Sequence, residues 1–410
     1  MLGLANILST ASIHEQRYAL GFDGANDSVV FGATTHNFLD FGTGNFSISL
    51  WYKADAHTTA NDYILSKYQG TNDRIDIFYS NTHRIRALAK GGGTTIFDCG
   101  GSAINGLGSI WIHVLVSCDR AGNTVLYVNG TTATYGDTET TDTDTSQTLN
   151  NSAKWTVGGL STLSSGFFEG KVSDVALFNV ALDSDAAVAV YNSGKPFDLN
   201  YDRGNYDNSS ALISYWRMGN GPFDNLQNGV IHDAHNPGFG NELITNGDFS
   251  TAGEPTTSTG TLGWYAAAGA GNGQEGSSIT GGELVLYNDT SASHYNRVYA
   301  TPGTAGDPSS INILSATLGS TYKCVYTVSE VSGSPLLQFF DGDAYNTQPS
   351  TVGTHVFYFT NKTNRLFVIS NTRTTGSAST VKISNMSLVQ LNGYPGLTSG
   401  ATFTTDTPDD

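Results

Sequence analysis

Side chains able to do chemistry are thinly spread along this 410-residue chain. Glutamate occurs only at positions 15, 139, 169, 242, 254, 275, 283 and 330. Cleaving a glycosidic bond takes two carboxyl groups held across a sugar. None of these glutamates stands two positions from another acid inside a predicted strand of the first half. Asp73 and Asp76 flank Arg74 at a strand start, where solvation or pairing with the guanidinium is the expected use. His232 and His235 have a spacing that suits a metal, yet no cysteine or second carboxylate cluster stands near them in sequence. The sequence holds no Gly-x-Ser-x-Gly elbow, phosphate loop or dinucleotide fingerprint in a strand-to-helix setting. The expectation is a protein that is not an enzyme.

Aromatic rings offer another chemistry: they stack on the apolar faces of sugars while Asn, Asp, Arg and Gln bond the hydroxyls. The second half of the chain supplies Trp264, Tyr265, Tyr287, Tyr295, Tyr299, Phe340 and Tyr345. Trp264 and Tyr265 are adjacent, so in a strand only one faces a core and the other is presented outward. The candidate glycan-contacting residues are Trp264, Tyr265, Tyr287, Tyr295 and Tyr345.

Charge narrows the partners. Nineteen basic residues against 36 acidic ones give a net charge of −17, which repels nucleic-acid phosphates and anionic lipid head groups. With 13% charged residues, the surface must consist largely of hydroxyls and amides. No stretch approaches the roughly 18 apolar residues of a membrane span, so neither nucleic-acid binding nor membrane insertion is expected. Cys99, Cys118 and Cys324 make an odd count, unlike a disulfide-stapled domain. Cys118 and Cys324 alternate with core positions and are expected as reduced core residues; a Cys99 to Cys118 pairing stays open.

The elements that must position these residues are strands. Trp111 to Gly130 writes two alternating runs, with Ile112, Val114, Val116 and Cys118 on one face. Asn129-Gly130 supplies the positive φ angles of a tight turn. In Phe46 to Lys53, Ile48, Leu50 and Tyr52 oppose Ser47, Ser49, Trp51 and Lys53, and runs near 63–67, 74–79 and 84–88 continue the period of two. Residues 137–144 are Thr and acid without an apolar residue, an exposed loop. Asp183 to Tyr191 is the one short helix, with Asp183 as N-cap and Gly194 and Pro196 as its stop. Further alternating runs fall at 283–287, 322–328, 336–340, 355–359, 365–369 and 381–388.

The 111–130 hairpin, Gly170-Lys171-Val172-Ser173-Asp174-Val175-Ala176-Leu177-Phe178-Asn179 and the short helix together resemble the laminin-G-like, concanavalin-type jelly roll over residues 18–197. The resemblance implies a binding scaffold and allows a calcium ion at a sheet edge, for which Asp23, Asp27, Asp174 and Asp248 are the candidate ligands. Glu242-Leu243-Ile244-Thr245-Asn246-Gly247-Asp248-Phe249 followed by Gly263-Trp264-Tyr265 resembles the opening of carbohydrate-binding-module jelly rolls. Those modules close on an Asp pair where this chain has Ser384-Asn385, which weakens an inherited calcium site. The fold class is thus all-β: two antiparallel jelly-roll β-sandwiches in tandem behind a short arm. The expected units are an arm at 1–17, a jelly roll at 18–198, a bridge at 199–241, a second sandwich at 242–392 and a tail at 393–410. The order of these units, with Tyr215-Trp216-Arg217-Met218-Gly219 in the bridge, is similar to virion structural proteins of tailed bacteriophages. That similarity implies a tail-fibre, spike or capsid-decoration subunit, folded in the host cytoplasm and working on the virion. It would attach to other subunits through Leu2, Leu4, Ile7 and Leu8, form a homo-oligomer and bind polysaccharide. A surface or secreted bacterial adhesin is the alternative, and a divergent polysaccharide hydrolase a lesser one.

Overall fold

The structure is a computed structural model describing residues 16–32, 39–55, 60–103, 110–133, 140–141, 146–255, 263–266, 277–288, 296–300, 319–340, 344–361, 368–373 and 378–409. Among these residues one short α-helix accompanies four antiparallel sheets. The first sandwich pairs an eight-stranded sheet with a nine-stranded one. In the eight-stranded sheet, Phe46–Ala54 lies between Ile112–Cys118 and Glu169–Phe178. Ile48, Leu50 and Tyr52 turn inward with Ile112, Val114, Val116 and Cys118. They meet Ile75, Ile77, Ile85, Ala87, Trp155 and Val157 of the other sheet. Each such side chain contributes about 1.5–3 kcal/mol by leaving water.

The hairpin read from sequence is present: Ile112–Cys118 pairs with Thr124–Val128, with Val114 opposite Val128. Asn129 and Gly130 both have positive φ, 50° and 72°, and turn the chain into Thr131–Thr132. A Cβ on Gly130 would stand 3.1 Å from the Tyr191 ring, so glycine serves both the turn and the approach of the helix Ser184–Tyr191. Asp183 caps that helix by accepting from the Ala186 amide at 2.8 Å. The helix and the chain after it cover the second face of the eight-stranded sheet, burying Ser47, Ser49, Trp51, His113, Leu115, Ala176 and Phe178. Among the described residues no helix covers the nine-stranded sheet, whose outer, free face carries half-buried Tyr63, Tyr68, Arg74, Arg86 and Leu88 beside buried Ser66, Asp76 and Phe78. Thr140–Thr141, expected within a loop, pairs at that sheet's edge with Thr94–Ala103.

The two expected sandwiches are present, and the second interrupts the first. The expected bridge belongs to the first sandwich: Leu212–Trp216 pairs with the second half of Glu169–Phe178, and Val230–Ile231 pairs with Gly396–Ser399. The segment expected as a tail also returns to it, where Gly396–Ser399 pairs with Ser28–Phe31 and Thr402–Thr404 with Ala19–Asp23. The chain therefore crosses between sandwiches twice, side by side. Asp233 staples the crossings, accepting from Ser214 Oγ, from the amides of Tyr215 and His235, and from the returning Tyr394 amide. Gly393 has φ 62°, and a Cβ there would come within 2.7 Å of Asp233.

The inserted sandwich packs a six-stranded sheet, centred on Thr321–Ser332 and Ser379–Leu391, against a five-stranded one. Its core contains Phe249, Trp264, Leu284, Leu286, Tyr322, Cys324, Tyr326, Leu337, Phe339, Ile383 and Leu388. All three cysteines are buried thiols.

Candidate functional site

The strands Asp62–Gly70, Asp73–Tyr79, Arg84–Gly91 and Thr94–Ala103 lie side by side in the nine-stranded sheet. Alternation sends Ile75, Ile77, Ile85, Ala87 and Ala89 inward and leaves Arg74, Asp76, Phe78, Arg84, Arg86 and Leu88 for the free face. Register then builds the site. Tyr68 lies opposite Arg74, Tyr63 opposite Phe78, and Ser66, Asp76, Leu88 and Asp98 form one row across four strands.

Arg74 is the centre. Its guanidinium lies 4.6 Å from the Tyr68 ring centre and 5.6 Å from that of Tyr63, and donates to Tyr63 Oη at 3.1 Å. Its Nε donates to the Asp76 carboxylate, which also accepts from Ser66 Oγ at 2.7 Å. Burial raises the Asp76 carboxyl above its ordinary range, against the opposing pull of Arg74. Burial alone would lower the guanidinium, but Asp76 and Tyr63 hold it above its usual value. Arg86 donates to Asp98 at 2.6 Å and lies 6.0 Å from the Phe78 ring. At one margin Ser161 Oγ donates to the Ser66 carbonyl and accepts from the Tyr68 amide, so a loop walls the face. The result is a shallow sheet surface of two half-buried tyrosine rings, a buried Phe78 beneath them and oriented donors, the composition of a saccharide-binding face.

Sequence reasoning found Arg74 with Asp76 but missed Tyr63, Tyr68, Phe78, Arg86 and Asp98. The Arg-x-Asp-x-Phe and Arg-x-Arg-x-Leu alternations were the available signal. Their meeting depends on register between strands, which no local pattern prints.

The candidate glycan residues separate. Trp264 is a core residue and not a presented ring: it stacks on Phe249 at 5.5 Å and donates through Nε1 to the Asn246 carbonyl at 3.1 Å. Of the adjacent pair it is Trp264 that joins the core. Tyr265 pairs with Tyr299, Tyr299 with Val368, Val368 with Phe340 and Phe340 with Tyr345. These five positions form one cross-strand row, next to the row containing buried Val298 and Phe339. Tyr345 is half-buried and Tyr287 is exposed on the other sheet, while Tyr295 lies outside the described residues.

The four candidate calcium ligands do not assemble into one site. Asp23 and Asp27 share a turn, where Asp27 accepts from the Asp23 amide at 2.9 Å and Asp23 from the Ala25 amide at 2.8 Å. Asp248 is in the inserted sandwich, accepting from Ser250. Asp174 occupies the bulge where its strand changes partner from Ala19–Asp23 to Leu212–Trp216, with φ 44°. There it accepts from Tyr215 Oη and from Ser173 Oγ, with Arg217 at 3.9 Å, and burial lifts its carboxyl to about 6. A hard cation needs six to eight converging oxygens. Among the described residues no three ligating side chains converge. His232 and His235 likewise form no metal pair, since His235 bonds Asn200 and His232 is buried between Phe223 and Phe239. Leu2, Leu4, Ile7 and Leu8 lie outside the described residues; beyond them Gln16 donates to Ser173 at 2.7 Å and Thr407 donates to the Gln16 carbonyl.

Residues 23–187, within the first sandwich, match the model of the concanavalin A-like lectin/glucanases superfamily. No curated protein matches the chain. Among solved structures it is similar to a putative carbohydrate binding protein from Bacteroides ovatus at 15% identity, TM-score 0.38, over 54% of this chain and 56% of that one. The chain thus spans little more than half the length of that protein. It is also similar to the heptameric SAP-like pentraxin of Limulus polyphemus, at 15% identity, TM-score 0.35, over 49% and 91%. A third is the CBM40 of the Ruminococcus gnavus IT-sialidase bound to α2,3-sialyllactose, at 17% identity, TM-score 0.31, over 43% and 98%.

Proposed function

We propose that this protein binds glycans without cleaving them, and that it does so on the free face of the nine-stranded sheet. The observation that carries the reading is the Tyr63, Arg74, Tyr68 cluster anchored by Asp76. Asp76 fixes the guanidinium before any ligand arrives, so its remaining N–H donors cost little ordering when a sugar hydroxyl accepts from them. The ring surfaces beside it suit the C–H face of a pyranose. Calorimetric titration with a panel of bacterial and algal polysaccharides tests this: Tyr68→Ala should weaken the best ligand about tenfold with folding unchanged. An unchanged affinity would sink the site.

Asp76 and Asp98 lie in one row two strands apart, about 10 Å by strand spacing, slightly beyond the separation of an inverting hydrolase's acids. Each is held by its own arginine, and Asp76 is sealed beneath Arg74. That arrangement favours holding a sugar over protonating a leaving group. Release of reducing ends from any of the polysaccharides would overturn it.

The wider proposal is a virion subunit of a tailed phage that adheres to cell-surface or environmental glycans as a homo-oligomer and attaches through residues 1–17. Its support is the order of modules along the chain. Purified virions should contain the protein in many copies; finding it instead on a bacterial surface would favour the adhesin.

A further inference from the structure

Where the two sandwiches meet, two aromatic rings are exposed. Phe223 is 58% and Phe239 37% exposed, with ring centres 5.7 Å apart in an edge-to-face arrangement. Phe223 comes from the first sandwich, Phe239 from the outgoing crossing. The inserted sandwich adds Lys323 and Tyr358, direct partners across adjacent strands. The Lys323 amine lies 5.1 Å from the Phe239 ring centre and makes no ion pair among the described residues. The Tyr358 hydroxyl accepts from Asn225 Nδ2 at 3.4 Å, bringing a first-sandwich amide to the same place. Behind the rings, His232 is fully buried, and neither ring nitrogen has a hydrogen-bond partner among the described residues. Buried polar atoms of this kind are satisfied in nearly every folded protein.

The Glu242 carboxylate near these strands is already engaged by the amides of Leu243, Ile244 and Leu388 and by Ser387 Oγ. Lys323 has no carboxylate partner among the described residues; its amine lies against the Phe239 ring, beside the exposed Phe223. Rings, one amine, an amide and a phenol at a domain junction make a site for a ligand with an apolar face, hydroxyls and one negative charge. We infer that the junction is a second binding site, for the acidic residue of a glycan, a uronate or a sulfated sugar, stacked on Phe223, the more exposed ring, and ion-paired with Lys323, which Phe239 holds beside it. The class of ligand rests on the glycan-binding proposal; the location does not. Because both sandwiches contribute, the bound sugar would also fix their relative orientation.

The test titrates the full chain with a galacturonate trimer, a sulfated galactose trimer and a neutral galactose trimer. It uses wild type, Lys323→Gln, Phe223→Ala and Tyr68→Ala. Phe223 is exposed and Lys323 half-buried at a strand surface, so circular dichroism should show both variants folded. The expected result is that at least one acidic trimer binds more tightly than the neutral one, and less tightly as salt rises. Lys323→Gln should weaken it about tenfold and Phe223→Ala several-fold, while Tyr68→Ala leaves it unchanged. Acidic binding that survives Lys323→Gln and Phe223→Ala, or no acidic binding at all, overturns the junction site. Binding lost only in Tyr68→Ala supports the free face and removes the junction. Binding lost only in Lys323→Gln and Phe223→Ala does the reverse.

Discussion

On the free face of the first sandwich the charged groups come in pairs, Arg74 with Asp76 and Arg86 with Asp98, laid among Tyr63, Tyr68 and Phe78. Across the five-stranded sheet of the inserted sandwich, the row Tyr265, Tyr299, Val368, Phe340 and Tyr345 carries no charge. A charge on a partly buried sheet must be matched by its opposite, or the cost of desolvation exceeds what the sheet returns. The first face meets this by fixing its arginines, which leaves oriented donors. The second row, built of uncharged residue types, incurs no such cost.

The largest effect on this contrast should come from the staple that holds the two regions together. Asp233→Ala leaves the Tyr215, His235 and Tyr394 amides and the Ser214 hydroxyl without their acceptor. It should cost on the order of 3–5 kcal/mol in urea denaturation. An unchanged midpoint would mean that the crossings do not depend on it. Asp76→Ala should come next, lowering stability by about 3 kcal/mol because Arg74 stays partly buried without its carboxylate. It should also abolish measurable glycan titration on the first face; glycan affinity that survives would mean the arginine needs no anchor.

A pH series on wild type and Asp174→Asn isolates the contribution of Asp174. Burial holds Asp174 at about 6 when folded, against roughly 4 when unfolded. The folded state then binds the proton more tightly. Its contribution should fall as pH rises between those values, by at most about 1.4 kcal/mol per pH unit, and change no further above them. Asp174→Asn should remove that slope, since Tyr215 and Ser173 hydroxyls can bond either end of an amide. Identical slopes in the two proteins would reject the assignment. The smallest expected effect belongs to the uncharged row: Tyr345→Ala should reduce affinity for extended glycans a few-fold, about 0.5–1 kcal/mol. A loss larger than that of Tyr68→Ala would reverse the order of importance of the two faces.

Most of the scaffold was legible in the residues. The Ile112–Cys118 hairpin, the Asn129-Gly130 turn and the Asp183 cap follow from period, turn chemistry and capping, all of which act over a few residues. Trp264 illustrates the limit: alternation required that one of Trp264 and Tyr265 face inward, but which one depended on the volume left between two sheets. Asp174 illustrates another. It sits in a strand whose alternation looks continuous, yet a bulge there gives it a left-handed backbone and a buried tyrosine partner.

What the sequence determined by itself was the all-β class, the strand segments and the family likeness of the first sandwich. Local periodicity and composition carry those, because each strand's two faces are written along it. What only the tertiary structure decided was which strands are neighbours. The return of Gly396–Ser399 and Thr402–Thr404 to the first sandwich makes the second one an insertion. The same long-range pairing gathers Tyr63, Tyr68, Arg74 and Asp76 on one face, and Phe223, Phe239 and Lys323 at one junction. Pairing between strands distant in sequence is set by the packing of whole faces, and no single segment holds that information.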